Sequence, residues 1–262
     1  MQQNISFYKY QGTGNDFVMI DNRNKHFKYD TKLIRRLCDR KFGIGADGLI
    51  CLEDAETDEL DFKMVYFNAD GNESSMCGNG GRCIVAFAKY LSLIDSECIF
   101  NAIDGLHKAK IDDRLKVELK MKDVFDIDDS SDDLVLDTGS PHYIKLVKDI
   151  QALNVPTEGA KIRYSEKFKK DGINVNFVEI IDNELHIRTY ERGVEDETLS
   201  CGTGVTAAAI AVNRTNLIDS NHIFIKAQGG HLEVKFNKST EGYDNIWLIG
   251  LTQQVFKGEI LC

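Results

Sequence analysis

Apolar residues in this chain fall into short runs broken by polar turns, with two stretches that keep a helical period. Residues 5–22 predict two short strands broken at Gln11-Gly12-Thr13-Gly14-Asn15-Asp16, where the glycines permit positive φ and a hairpin turn. Asp30 or Thr31 can cap a helix reaching about residue 41, with Leu33, Ile34 and Leu37 on one face. Strands over 49–52 and 62–67 flank an acidic loop. Ile84, Val85, Phe87, Ala88 and Leu91 then give the helical period, so residues 78–93 predict a helix. Strands follow at about 98–102, 106–111 and 115–121. Gly43-Ile44-Gly45-Ala46-Asp47-Gly48 has the spacing of a dinucleotide fingerprint, but it follows a helix and precedes a strand, the reverse of that motif's context.

Residues 123–133 are strongly acidic and read as a solvated linker. A calcium loop starting at Asp126 would need glycine where Ser131 stands. Beyond the linker the landmarks return in the same order. Thr138-Gly139-Ser140-Pro141-His142-Tyr143 answers the first turn, Gly172 to Phe177 answers Gly45 to Ile50, and Ala227-Gln228-Gly229-Gly230 answers Ala102-Ile103-Asp104-Gly105. The offset stays near 124 residues. Such a period is too long for a solenoid and predicts an α+β fold of two pseudo-symmetric domains, each a mostly antiparallel sheet wrapped around a central helix, with the active site in the cleft between them. The boundary is expected at 125/126, giving domains over 1–125 and 126–252.

The chemistry lies where the repeat is clearest. Phe67 to Arg82 and Tyr190 to Gly204 are both polar loops that end in Cys-Gly-x-Gly before a run of small and apolar residues, which places Cys77 and Cys201 at helix starts. There, unpaired amides and the helix dipole lower a thiol pKa and attract anions, so the amides of Gly78, Asn79, Gly202 and Thr203 can hold a carboxylate. Two thiols flanking a carboxylate-bearing carbon suggest that one removes the α-proton while the other protonates the opposite face. The remaining thiols, Cys38, Cys51, Cys83, Cys98 and Cys262, lack this context and read as core residues.

Composition narrows the class. With 42% apolar residues, two prolines and a net charge of −10, the chain is expected to be a soluble protein that binds neither nucleic acid nor an anionic membrane. Seven cysteines at irregular spacing fit free thiols in a reducing compartment, and no spacing suggests a metal site, so the expected location is cytoplasmic.

Gly-Thr-Gly-Asn-Asp-Phe (12–17), Phe-Asn-Ala-Asp-Gly (67–71), Cys-Gly-Asn-Gly-Gly-Arg (77–82), Pro-His (141–142), Tyr-Glu-Arg-Gly (190–193) and Thr-Leu-Ser-Cys-Gly-Thr-Gly (198–204) closely resemble the diaminopimelate epimerase family over essentially the whole chain. The resemblance implies cofactor-independent epimerisation of LL-2,6-diaminopimelate to the meso isomer, in lysine and cell-wall biosynthesis. It also implies a homodimer whose last strand, at about 253–262, returns to the first domain. Cys77 and Cys201 match the acid/base pair, and His142 and Glu191 match residues that hold the α-amino group and support the reacting centre. Asn15, Asn68, Asn174 and Arg192 match positions gripping the far end of the substrate. Three departures stand out. Ser140 replaces a usual asparagine, Gly48 stands where some members carry glutamine, and the second cysteine loop is one residue longer than the first. Two other functions fit the scaffold: a proline or hydroxyproline racemase, and a thiol redox or amino-acid-binding protein without catalysis.

Overall fold

Left-handed backbone at Thr13 (φ 56°) and Gly14 (φ 83°) closes a two-residue turn that folds the first apolar run into a hairpin. Its arms are β1 (Asn4–Gly12) and β2 (Asn15–Asp21), paired antiparallel with Gly12 opposite Asn15. This computed structural model describes residues 4–131 and 133–262; the first three residues and Asp132 of the acidic stretch lie outside them. The chain divides into two units, the first reaching Leu119 and resuming at Gly250–Cys262, the second Lys120–Ile249.

In unit 1 the chain crosses from β2 through α1 (Thr31–Cys38) to β3 (Gly48–Glu53), which lies parallel to β2 with Gly48 opposite Phe17. β4 (Phe62–Asn68) runs antiparallel to β3 and bears the short β5 (Glu73–Ser74). After α2 (Gly78–Tyr90), β6 (Glu97–Ala102) pairs in parallel with β4 and starts the antiparallel series β7 (Gly105–Ile111) and β8 (Lys116–Lys120). The strands are covered on both faces. Ile34, Leu37 and Cys38 of α1 pack on Val18, Leu49, Cys51, Val65 and Phe67, while α2 buries every residue from Gly78 to Ala88 on the opposite side. Hence β3 is buried along its whole length, and Leu49 to Leu52 form a continuous apolar run rather than an alternating one.

Both predicted helix ends are overshot by three residues. α1 stops at Cys38 rather than 41 because Asp39 turns extended and the Ile44 and Gly45 amides bond back to the Leu37 carbonyl. α2 stops at Tyr90 rather than 93: Ser92 is left-handed (φ 58°), and the Leu93 amide reaches back to Ala88.

Unit 2 repeats these pairings. β9 (Ile127–Asp128) flanks β10 (Leu134–Asp137), which pairs antiparallel with β11 (Pro141–Leu146). Through α3 (Val155–Arg163) the chain reaches β12 (Asn174–Ile181), parallel to β11 with His142 opposite Asn174. β13 (Glu184–Glu191) is antiparallel to β12 and carries β14 (Asp196–Thr198). α4 (Gly202–Arg214) leads to β15 (His222–Ala227), parallel to β13, then β16 (Gly230–Lys238) and β17 (Tyr243–Leu251). The registers make Phe17 the counterpart of His142, Ile50 that of Asn176, and Asn68 that of Glu191. α3 was not among the expected elements; it buries only Val155 and Gly159, too few apolar positions to show a period. The crossing into unit 2 comes six residues before the expected boundary, because the Met121 amide bonds to Ile246 and Val124 bridges Tyr243. The last strand, β18 (Gln253–Leu261), pairs antiparallel with β1, Asn4 opposite Leu261.

Phe87 is fully buried on α2 and meets the rings of Tyr8 and Tyr10 at 4.9 and 5.8 Å. Phe87→Ala is expected to lower the stability of unit 1 by about 3–5 kcal/mol, read as a shift of the urea midpoint.

Candidate active site

Each unit presents one cysteine as the residue that opens its buried helix. Cys77 (φ −93°, ψ 134°) and Cys201 (φ −116°, ψ 112°) occupy the N-cap positions of α2 and α4 in the same extended conformation, and neither helix start has a side-chain cap. The first ladder hydrogen bonds are Gly81 to Cys77 (2.7 Å) and Val205 to Cys201 (2.9 Å), so the amides of Gly78, Asn79, Gly202 and Thr203 precede both ladders. Cys77 is partly exposed and Cys201 is 8% exposed. Burial pushes the thiols of Cys38, Cys83 and Cys98 up to about 12, and Cys51 and Cys262 are raised by burial as well.

Around Cys77 a charged chain fixes one amide. Asp47 accepts from Asn15 Nδ2 at 2.7 Å, which turns Asn15 Oδ1 toward Cys77 Sγ (3.7 Å) and Asn79 Nδ2 (3.4 Å). Arg40 ties Asp47 to Asp16, and Asp16 pairs with the buried Lys9 at 2.8 Å. Burial disfavours the Asp16 charge, yet the hydrogen bonds from Arg40 and Lys9 prevail and hold its carboxyl far below the usual range. A pocket of about 440 Å³ beside this chain, lined by Lys9, Asp16, Arg40 and Phe256 among others, includes none of the predicted site residues.

Arg82 has no role in the sequence reading, although it closes the cysteine motif. It is fully buried in α2, and among the described residues its guanidinium donates to neutral partners: Gly78 O (3.2 Å), Thr13 Oγ1 (2.8 Å) and Asn79 Oδ1 (3.0 Å). It thus ties the first hairpin turn to the start of α2 and leaves a positive charge inside that turn. An arginine four residues into an otherwise small and apolar helix was the available signal.

Asn68 is exposed at the end of β4, and its Oδ1 accepts from the Tyr66 hydroxyl at 2.9 Å. A Cβ on Gly48 would lie 2.6 Å from the Tyr66 ring, so the Tyr66 side chain occupies the space into which a larger residue at 48 would extend. In unit 2, Asn174 spends both amide hydrogens on Ser140 Oγ (2.9 Å) and the Pro141 carbonyl (3.1 Å), and accepts from the Arg192 amide (2.8 Å). Ser140 thus offers its hydroxyl to Asn174 in place of an amide. Arg192 is exposed and forms no ion pair among the described residues; its Nη1 donates to the Asp171 carbonyl (3.1 Å). Glu191 accepts from Thr198 Oγ1 at 2.9 Å. The extra residue of the second cysteine loop is absorbed within the turn between β13 and β14, where Gly193 (φ 94°) and Glu195 (φ 58°) are left-handed and Glu195 meets Arg163 at 3.3 Å. From the equivalent ladder positions, Glu73 opposite Phe67 and Glu197 opposite Tyr190, the distance along the chain to the cysteine is the same in both units.

His142 is completely buried on β11. Its Nδ1 lies 3.1 Å from Asn176 Nδ2, and its Nε2 has no hydrogen-bond partner among the described residues. Burial, reinforced by the Arg192 charge and only partly offset by Asp137, pushes the imidazole down to about 3.

The two-unit α+β architecture recurs in solved structures. It matches a PhzF-family phenazine biosynthesis protein of Bacillus anthracis at TM-score 0.75 and 14% identity, covering 99% of this chain and all of that one. It also matches a hydroxyproline epimerase of Agrobacterium vitis at TM-score 0.72 and 12% identity, covering 98% and 92%. Sequence is more specific. A sequence model of the diaminopimelate epimerase family matches residues 7–124 and 134–246, and the chain belongs to that family. It is 53% identical to the diaminopimelate epimerase of Flavobacterium psychrophilum, covering 98% of this chain and all of that one, and 43% identical to that of Chlorobaculum tepidum, covering 95% and 98%.

Folded His142 stays neutral down to about pH 3, whereas the unfolded chain takes up a proton at the ordinary value of 6.5. Between those values the unfolded state binds more protons, so this residue makes stability fall as pH falls, by about 1.4 kcal/mol per pH unit. Unfolding of His142→Gln between pH 4 and pH 6.5 is expected to show a shallower pH slope than wild type; equal slopes would contradict a buried neutral imidazole.

Proposed function

We propose that this chain interconverts LL- and meso-2,6-diaminopimelate by passing one α-proton between the thiols of Cys77 and Cys201. The observation that carries the reading is the pair of cysteines that open uncapped, glycine-rich helix starts in a member of the diaminopimelate epimerase family. One cysteine, as thiolate, takes the α-proton and becomes a thiol. The other, as thiol, delivers its proton to the opposite face and becomes a thiolate, so the stereocentre inverts and the two cysteines exchange protonation states. The amides of Gly78, Asn79, Gly202 and Thr203 receive the carboxylate on the reacting carbon. Glu191 takes the α-ammonium, and His142 supports the reacting centre. Arg192, which forms no ion pair among the described residues, takes the distal carboxylate as a bidentate fork, with Asn15 and Asn68 around it and Asn174 holding its backbone.

The same reading makes the protein a cytoplasmic homodimer that needs no cofactor. Among the described residues no helix is long and apolar enough to cross a membrane, and light scattering on a sizing column checks the dimer.

Incorporation of solvent deuterium at the α-carbon of diaminopimelate, followed by proton NMR in heavy water, separates this reading from amino-acid binding without chemistry. The same assay with proline and hydroxyproline tests the alternative substrate class. Cys77→Ala and Cys201→Ala are each expected to abolish epimerisation, and near wild-type turnover by either variant would sink the two-base scheme. Arg192→Lys is expected to lower kcat/KM for diaminopimelate roughly a hundredfold, because an ammonium is a point charge and cannot reproduce the planar two-donor fork. Normal turnover by that variant would move the distal site to other residues.

A further inference from the structure

The duplicated fold supplies its own control for His142. In unit 1 the counterpart positions are Phe17 and Ile50, and the third helix position, Gly80, lies against them: a Cβ there would meet Ile50 Cδ1 at 3.0 Å and the Phe17 ring at 3.4 Å. In unit 2 the same three places hold His142, Asn176 and Gly204, where a Cβ would meet Asn176 Oδ1 at 2.4 Å and His142 Cε1 at 3.3 Å. Apolar packing is thus sufficient to seat such a helix start. In unit 2 it is replaced by a buried polar pair, which is costly unless its hydrogen bonds are used.

The hydrogen bonds of that pair determine where the imidazole proton sits. Asn176 Nδ2 faces the carbonyl of Tyr143 at 3.2 Å, and a carbonyl can only accept, so this end of the amide is the amino end. Asn176 Oδ1 accepts from Thr189 Oγ1 at 3.0 Å, which agrees. The amino group therefore donates to His142 Nδ1. A nitrogen that accepts carries no proton, so in the neutral ring the proton is on Nε2, the atom left without a partner.

We propose that Asn176 is a positioning residue that fixes His142 as a neutral Nε2–H donor at the start of α4, held for an anionic acceptor of the bound amino acid, a carboxylate oxygen. The inference deepens the epimerase reading and rests on it for the identity of the ligand. It also divides the His142–Glu191 pair: a ring whose Nδ1 is occupied and whose Nε2 carries the proton has no lone pair for an ammonium group, so the α-amino contact falls to Glu191 alone.

The tautomer is read in the substrate-free protein by long-range proton–nitrogen correlation of ¹⁵N-histidine-labelled wild type, with His142→Gln assigning the signal. The expected result is a protonated Nε2 and a bare Nδ1. The opposite tautomer, or a doubly protonated ring near neutral pH, overturns the proposal whatever the enzyme's substrate, whereas a failed epimerase assay with the expected tautomer overturns only the functional reading. Asn176→Asp places an acceptor-only group at Nδ1. It is expected to protonate that nitrogen, to move a histidine titration into the pH profile of kcat, and to lower kcat about tenfold or more. Thr189→Val, which leaves the Tyr143 carbonyl in place, keeps the wild-type tautomer. On adding diaminopimelate, the wild-type Nε2 proton is expected to shift downfield as it gains an acceptor; an unchanged signal at saturation would remove the ligand-facing role.

Discussion

Two buried helices begin without the side-chain oxygen that normally satisfies their first amides. A serine, threonine or aspartate at either N-cap would contribute about 1 kcal/mol, and both positions hold cysteine instead. Everything near these starts follows from leaving amides outside the helical ladder. The glycines after each cysteine let the first turn lie against its sheet, with built Cβ distances of 2.4–3.0 Å at Gly204, Gly81 and Gly80. Both turns can sit deep only because the strands beneath them carry side chains shaped to meet a bare backbone.

The two starts differ in their electrostatics. At α2 a buried guanidinium with neutral partners, Arg82, adds positive charge to the dipole end, and the Asp47-bound Asn15 turns a carbonyl oxygen toward the thiol. At α4 the sulfur of Cys201 meets the hydroxyl of Thr203 at 3.4 Å, a group that can donate or accept. Duplication has therefore preserved the backbone of the cysteine device while its surroundings diverged.

Much of this was legible in the sequence because the constraints are local. A thiol before glycine at the head of an apolar period, repeated at a constant offset, identifies two helix starts without any tertiary knowledge. The positive-φ turn and the Asp30 cap, which accepts from Leu33 at 2.8 Å, are similarly local. What escaped depends on contacts distant in sequence. The ends of α1 and α2 are set by backbone hydrogen bonds that compete with further helix, not by a strong breaker. α3 is held by Asn154 and Pro156 at one end and by Gly159 against Tyr190, not by an apolar stripe. Arg82 and Asn176 look ordinary in sequence, and only their burial, at 0% exposure each, singles them out.

The pairing of β18 with β1 has a temporal side. Gln11 is opposite Gln253, so one edge of the first strand made is completed by the last. At ribosomal speeds of about 5–20 residues per second, that edge waits on the order of ten to fifty seconds for its partner. Meanwhile all of unit 2 emerges between the two halves of unit 1. The inserted unit has its strands and both of its helices in one unbroken segment and can fold first, although it is encoded second. Unit 1 is a closure reaction at very long sequence separation, the kind that sets a slow final folding step and leaves an open strand edge exposed to aggregation until β18 is made.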